Sequence, residues 1–199
     1  MSISRTHILV AAAATVLFAA GCSDDSTTTH TAEHSTTTAT SAAASTDFND
    51  ADVTFLQMMY PHHAQAVEMA KMVPSHTQNQ QLIALAAQVE KAQAPEMQQI
   101  TDLLAGFGKP APSATEGHGG HDMPGMMTDA QMSSLQAANG ADFDRQWLEM
   151  MIEHHEGAVG MAQTELNAGV NPQTRQLATT IVADQEAEIA TMRGMLGQN

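Results

Sequence analysis

Two stretches 92 residues apart carry the same pattern, and that repeat limits what the chain can fold into more than any other feature. Residues 52–70 read D-V-T-F-L-Q-M-M-Y-P-H-H-A-Q-A-V-E-M-A, and residues 144–162 read D-R-Q-W-L-E-M-M-I-E-H-H-E-G-A-V-G-M-A. The register continues without a gap: Leu85 falls on Leu177, Val89 on Ile181, Glu96 on Glu188, Met97 on Ile189, Ile100 on Met192 and Leu104 on Leu196. Within the first copy, Phe55, Met59, His62, Ala66, Met69 and Val73 step by 4, 3, 4, 3, 4, which places them on one face of a helix. Trp147, Met151, His154, Ala158, Met161 and Glu165 repeat those steps. Partner stripes run through Leu85, Val89, Ala92, Glu96, Ile100 and Leu103, then Leu177, Ile181, Asp184, Glu188, Met192 and Met195.

Each half therefore reads as two helices, 50–73 with 78–105 and 142–167 with 173–196. The joining loops are short, which sets consecutive helices antiparallel. Four such stripes bury themselves by packing together, so the expected fold is all-α: a four-helix bundle built from two duplicated helical hairpins. Few aromatics and fifteen Met agree with closely packed helices rather than a sheet. Pro61 is expected to kink the first helix just before His62, and Pro95 to interrupt the second. The halves, 50–105 and 142–196, are joined by a long His/Met-rich connection, 106–141. Within it a short helix is expected from Thr128, with Thr128 and Gln131 as a capping box and Asn139-Gly140 as its stop.

The N-terminal residues read as a targeting segment. Arg5 is followed by an uncharged apolar run from Ile8 to Ala20, short for a membrane span and typical of a signal peptide. The run ends Ala19-Ala20-Gly21-Cys22, similar to a bacterial lipobox, with residues 1–21 removed and Cys22 lipidated. Cys22 is the one cysteine, so neither an intrachain disulfide nor a thiolate cluster can form. Residues 22–47 hold Ser, Thr, Ala and Asp with almost no large apolar side chain, and read as a disordered tether between membrane and domain. The bundle domain then spans 48–199. A net charge of -15 with seven Lys and Arg argues against nucleic acid as a partner.

The duplicated motif carries the chemistry. Thioether sulfur favours monovalent copper, and imidazole suits copper as well as zinc, iron and nickel. Silver(I), also soft, should follow Cu(I). Met58 with His62, Met59 with His63, Met150 with His154 and Met151 with His155 are each four residues apart, a spacing at which side chains meet on a helix. Met59, Met69, Met151 and Met161 also stand in the stripes, where methionine equally serves as core filling. A second cluster lies in the connection: His118, His121, Met123, Met126 and Met127 fall within ten residues among glycines. Glu96 and Glu188 stand in otherwise apolar stripes and need partners. Accepting the second ring N–H of His62 or His154 would orient those imidazoles. Alternatively the carboxylates would bind a harder metal directly, as in di-iron bundles, but the Glu-x-x-His spacing those sites use is absent. Phosphate loops, G-x-S-x-G and H-E-x-x-H are absent as well, so the chain is not expected to be an enzyme.

The pieces M-M-Y-P-H-H-A-Q-A-V-E-M-A, G-M-M-T-D-A-Q-M, A-D-F-D-R-Q-W-L-E-M-M-I-E-H-H-E-G-A-V-G-M-A and A-D-Q-E-A-E-I-A-T-M together resemble the bacterial domain-of-unknown-function family 305. They cover most of residues 50–196. The resemblance implies a ferritin-like four-helix bundle, often secreted or lipid-anchored, some of whose members bind copper or silver. Carried over by motif, it implies His62, His63, Met58, Met59, Met69, His154, His155, Met150, Met151 and Met161 as candidate ligands. The expected protein is thus an extracytoplasmic, Cys22-anchored binder of Cu(I), and of silver with it. It would buffer or sequester the ion or pass it to a copper-handling protein. The rival expectations are an interaction module without a dedicated metal and a carboxylate/His metal-centre enzyme.

Overall fold

The computed structural model describes residues 47–110, 112 and 123–197. Cys22, the tether and its His30 and His34, and His118 and His121 of the connection lie outside the described residues. Five helices are present: α1 (Asp50–His76), α2 (Gln80–Gly106), α3 (Asp129–Ala137), α4 (Gly140–Ala168) and α5 (Pro172–Met195). The duplication is visible directly. α1 packs on α2 and α4 on α5 as two antiparallel hairpins, and the hairpins meet mainly through α1 and α4. Among the described residues no helix is long and apolar enough to cross a membrane.

The helix starts follow from capping chemistry. Asn49 accepts from the amides of Ala51 and Asp52 while Asp52 reaches back to the Asn49 amide, a complete capping box. Asn79 and Asn171, equivalent by the repeat, cap α2 and α5 by accepting from the second and third helical amides, without the return bond of a capping box, and Pro172 follows at the first helical position of α5. Thr128 and Gln131 form the anticipated capping box of α3.

Three local expectations need correction. Pro95 does not interrupt α2, and α1 runs on past Pro61 and Pro74 to His76, beyond its expected end. Each proline removes one ladder bond, a loss outweighed by the buried stripe on both sides of it. Asn139-Gly140 does not stop α3, which ends at Ala137; Gly140, with φ 58°, instead opens α4. The buried face of the partner helices is also one residue off the expected stripe in places. Leu104 is fully buried where Leu103 is only half-buried, and Gln93 and Gln185 are buried in place of Ala92 and Asp184.

Two apolar cores result, one toward each end. At one end Phe55, Leu56 and Met59 pack with Ile100, Leu104, Ala158, Ala162, Leu177 and Ile181. At the other, Met69 and Val73 pack with Leu82, Val89, Phe143, Trp147, Met151 and Met192. The helical segments between the two sets carry His62, His63, Gln93, Glu96, His154, His155, Gln185 and Glu188. A polar layer therefore crosses the middle of the bundle.

An acid pair fixes the start of α1 against the α4–α5 turn. Burial works to raise the pKa of Asp52, but the amides of Asn49, Asn171 and Val170 outweigh it and hold the carboxylate below its usual range. Glu165, facing Asp52, is 1% exposed. Its pKa is pushed up to about 8, by burial first and then by the neighbouring Asp52 carboxylate. A carboxyl whose folded pKa is raised holds its proton after the unfolded chain has released it. Its contribution to stability therefore falls as pH rises from about 5 to about 8. Glu165→Gln is expected to remove that dependence. Urea midpoints of wild type and variant should diverge in favour of the variant between pH 5 and 8. Parallel midpoints across that range would show that Glu165 is ionised throughout.

Candidate metal centre

All four histidines of the repeated pairs are fully buried. His63 Nε2–H donates to Glu96 Oε2 at 2.8 Å, and its repeat equivalent His155 Nε2–H donates to Glu188 Oε2 at 2.6 Å. The carboxylates are thus held by His63 and His155, not by His62 and His154 as expected. The reason is register: His63 and His155 face the partner helix of their own hairpin, whereas His62 and His154 face each other. Their rings lie 3.7 Å apart between centroids, tilted by 39°.

The ring-nitrogen accounting identifies the lone pairs. His62 Nε2 lies 3.0 Å from the Pro124 carbonyl oxygen, which can only accept, so this nitrogen carries the proton. In neutral imidazole the other nitrogen then bears a bare lone pair. The Nδ1 atoms of His62, His63 and His155 are all buried without a hydrogen-bond partner. Neither nitrogen of His154 makes a well-formed hydrogen bond, although the His62 backbone lies near enough to offset part of its burial. Burial, followed by the neighbouring His63, lowers the His62 pKa to about 3 despite the opposing pull of the Pro124 carbonyl. Burial and the other imidazoles push His154 well below the usual histidine range. Both rings are therefore neutral, the form that ligates metal.

The methionines divide between core and site. Met59, Met69 and Met151 are fully buried and Met161 nearly so, each within an apolar core. Met58 and Met150 are half-buried, each four residues before a histidine of the inner pair. In the connection, Met127 is buried in the core with Trp147 and Leu135, while Met123 and Met126 are half-buried. The expected grouping of Met127 with the loop ligands is thus replaced by a packing role. Its backbone is clamped by Gln65, whose Oε1 accepts from the Met127 amide at 2.7 Å and whose Nε2 donates to the Met127 carbonyl at 2.9 Å.

Sequence reasoning missed Gln93 and Gln185. They are 2% and 3% exposed, and both amide atoms of each lack a partner. One helical turn before Glu96 and Glu188, they belong to the polar layer. The signal was available, since a glutamine recurs at the same position of both copies.

Among the described residues no three His, Cys, Asp or Glu side chains converge on a point that would hold a metal ion. Nitrogen and carboxylate donors alone do not make a cage here. The bare imidazole lone pairs beside thioether-bearing turns do fit a soft ion, which accepts few ligands and prefers sulfur and imidazole. Unpartnered, these buried nitrogens each carry a desolvation penalty that a bound ion would relieve.

The family model described as a domain of unknown function, DUF305, matches residues 52–196. The chain belongs to the DUF305 family. A DUF305 fragment from Deinococcus radiodurans is 33% identical with a TM-score of 0.67, the match covering 76% of this chain and 98% of that one. A DUF305 protein from Streptomyces coelicolor is 32% identical with the same TM-score of 0.67, covering 74% of this chain and 93% of that one. CopM in a Cu(I)-bound form is 28% identical with a TM-score of 0.61, covering 72% and 93–94% of the respective chains across its forms. Among curated proteins, an uncharacterized protein of Acanthamoeba polyphaga mimivirus is 38% identical over 55 residues. That match spans 28% of this chain and 36% of the viral protein. The four-helix architecture read from the repeat is thus the architecture of DUF305.

Proposed function

We propose that this DUF305 chain is a binder of Cu(I), and of Ag(I) with it, that acts outside the cytoplasm. The observation that carries the reading is the pair of buried, facing, neutral imidazoles His62 and His154, with ring nitrogens that lack a hydrogen-bond partner, in the middle of a methionine-rich bundle. Structures of CopM hold Cu(I), Cu(II) and Ag, which supports the same class of ion here. His62 and His154 would supply nitrogen, His63 and His155 would be oriented by Glu96 and Glu188, and Met58 and Met150 would supply sulfur. His118, His121, Met123 and Met126 would add soft donors in the connection. The protein would buffer or sequester the ion, or hand it to a copper-handling partner, rather than catalyse a reaction. A relative from Streptomyces coelicolor is described as secreted, which supports an extracytoplasmic location. Lipidation of Cys22 would keep the chain at the membrane.

The test is Cu(I) titration of the full chain against a competing chelator under reducing conditions, beside a variant with His62→Ala and His154→Ala. Stoichiometric binding weakened at least about tenfold in the variant is the expected result. Binding that survives unchanged would move the ion to the His118–Met127 segment. No binding above chelator background would leave an interaction module as the better reading.

A further inference from the structure

α1 ends on His76, and the repeat places Ala168, the last residue of α4, at the equivalent position. This histidine has no counterpart, and neither does α3, the helix of the connection that it touches. Both of its ring nitrogens face carbonyl oxygens. Nδ1 lies 2.9 Å from the Met72 carbonyl on α1, and Nε2 lies 3.0 Å from the Gln136 carbonyl on α3. A carbonyl oxygen only accepts, and imidazole has an N–H on both nitrogens only as the cation.

The surroundings suit that charge. The ring stacks on Phe143 of α4 at 4.8 Å between centroids, and it stands in the last turn of α1, at the negative end of the helix dipole. It is half-buried, within reach of solvent protons. The nearest charged side chains along the neighbouring elements are mostly engaged elsewhere. Lys71 of α1 pairs with Glu90 of α2, Asp142 with Arg145 at the start of α4, and Asp144 accepts from Asn79. Asp129 stands in the first turn of α3, at the other end of that helix from Gln136. Among the described residues none of them pairs with the His76 ring, and the histidines in ion pairs are His63 and His155.

α3 needs such an anchor. Nine residues are too few for a helix to persist unaided. Leu135 is its one buried residue, and Ser134 Oγ donates to Gln146 of α4. His76 supplies the bond to α1. Neutral imidazole has one N–H for two carbonyls. With the proton on Nδ1, the bond to Gln136 is lost. With it on Nε2, the Nδ1 lone pair meets the Met72 carbonyl. Ser75 Oγ lies 2.9 Å from both Nδ1 and that carbonyl, but its single proton serves one of them at a time. Loss of the ring proton therefore weakens this corner in either tautomer.

We propose that His76 is a proton-operated clasp: as the imidazolium it joins α1 to α3 through both ring nitrogens, and on losing its proton it loosens α3 from the bundle. The clasp does not depend on the metal reading, and its test is run on the full chain free of metal.

Hydrogen exchange of the α3 amides, corrected for intrinsic rate, is followed between about pH 5 and 8, the range in which imidazole titrates. Nitrogen resonances of labelled histidine report the ring in the same samples. At the acid end both His76 nitrogens should carry a proton. Protection of α3 should fall about tenfold as pH rises, the size expected from losing one charge-assisted hydrogen bond. Amides of α4 and α5 around Glu165 serve as the control, because that group acts on the whole bundle and not on α3 alone. His76→Gln, which cannot titrate, should flatten the α3 profile. Ser75→Ala removes the hydroxyl that can serve the bare Nδ1, and should steepen it. A single ring proton at the acid end overturns the clasp. So does α3 protection that stays flat in wild type, or that keeps its pH dependence in His76→Gln.

Discussion

His154→Leu is expected to make the metal-free protein more stable and a poorer metal binder at once. His154 is fully buried and neither ring nitrogen makes a well-formed hydrogen bond. A buried polar group without a partner costs about 1–3 kcal/mol, and an apolar side chain of similar size recovers that penalty. The neighbouring His62 ring, 3.7 Å away between centroids, offers leucine an apolar ring face to pack against. The urea midpoint of the metal-free variant should therefore rise. Cu(I) affinity should fall by at least about tenfold, in the range typical of lost metal-site groups. Stability given up for a site is a recurrent trade in functional proteins. A midpoint that falls in the variant would mean that His154 is satisfied in the apo protein, and would remove the main physical reason for assigning it to a metal.

Trp147→Ala carries the largest expected loss of stability. The side chain is fully buried at the centre of the core that contains Met69, Val73, Phe143 and Met192. Its indole N–H donates to the Met69 carbonyl at 2.9 Å, joining α4 to α1 across the two halves. Truncating a buried aromatic of this kind costs about 3–5 kcal/mol. For a domain of this size that lowers Tm by roughly 10 °C. Trp147→Phe keeps part of the packing while removing the N–H and one ring of the indole, so its cost should fall between the about 1 kcal/mol of the hydrogen bond and the full loss of Trp147→Ala. A thermal melt of both variants checks the claim; a loss below 1 kcal/mol for Trp147→Ala would sink it. The repeat places Phe55 at the equivalent position in the other half, buried in the opposite core and without an N–H to give.

Much of the architecture was legible because the relevant physics is local and periodic. Steps of 3 and 4 placed Phe55 through Val73 on one helical face, and the same steps recur from Trp147 to Glu165. Their burial depends only on helix geometry and on having a partner to pack against. The capping residues Thr128 and Gln131 could be read for the same reason, since an N-cap is a contact between near neighbours. Pro95 misled because its local cost is real but small beside the burial on either side of it.

The site divides differently. That a His-His pair and a stripe glutamate recur in both halves, His62-His63 with Glu96 and His154-His155 with Glu188, follows from the repeat alone. Which histidine meets which carboxylate does not. His62 and His63 are 100° apart around the helix, and only the packing of α1 on α2 and α4 determines that His63 turns to Glu96 while His62 turns to His154. The same holds for the docking of Pro124 over His62, the clamp of Gln65 on Met127 and the burial of Gln93 and Gln185. The sequence by itself determined the helices, their pairing into hairpins and the donor types available, because those depend on periodicity and side-chain chemistry. Tertiary structure alone decided which lone pairs stay bare and what stands between them and solvent, because those depend on contacts between residues more than sixty positions apart in the chain.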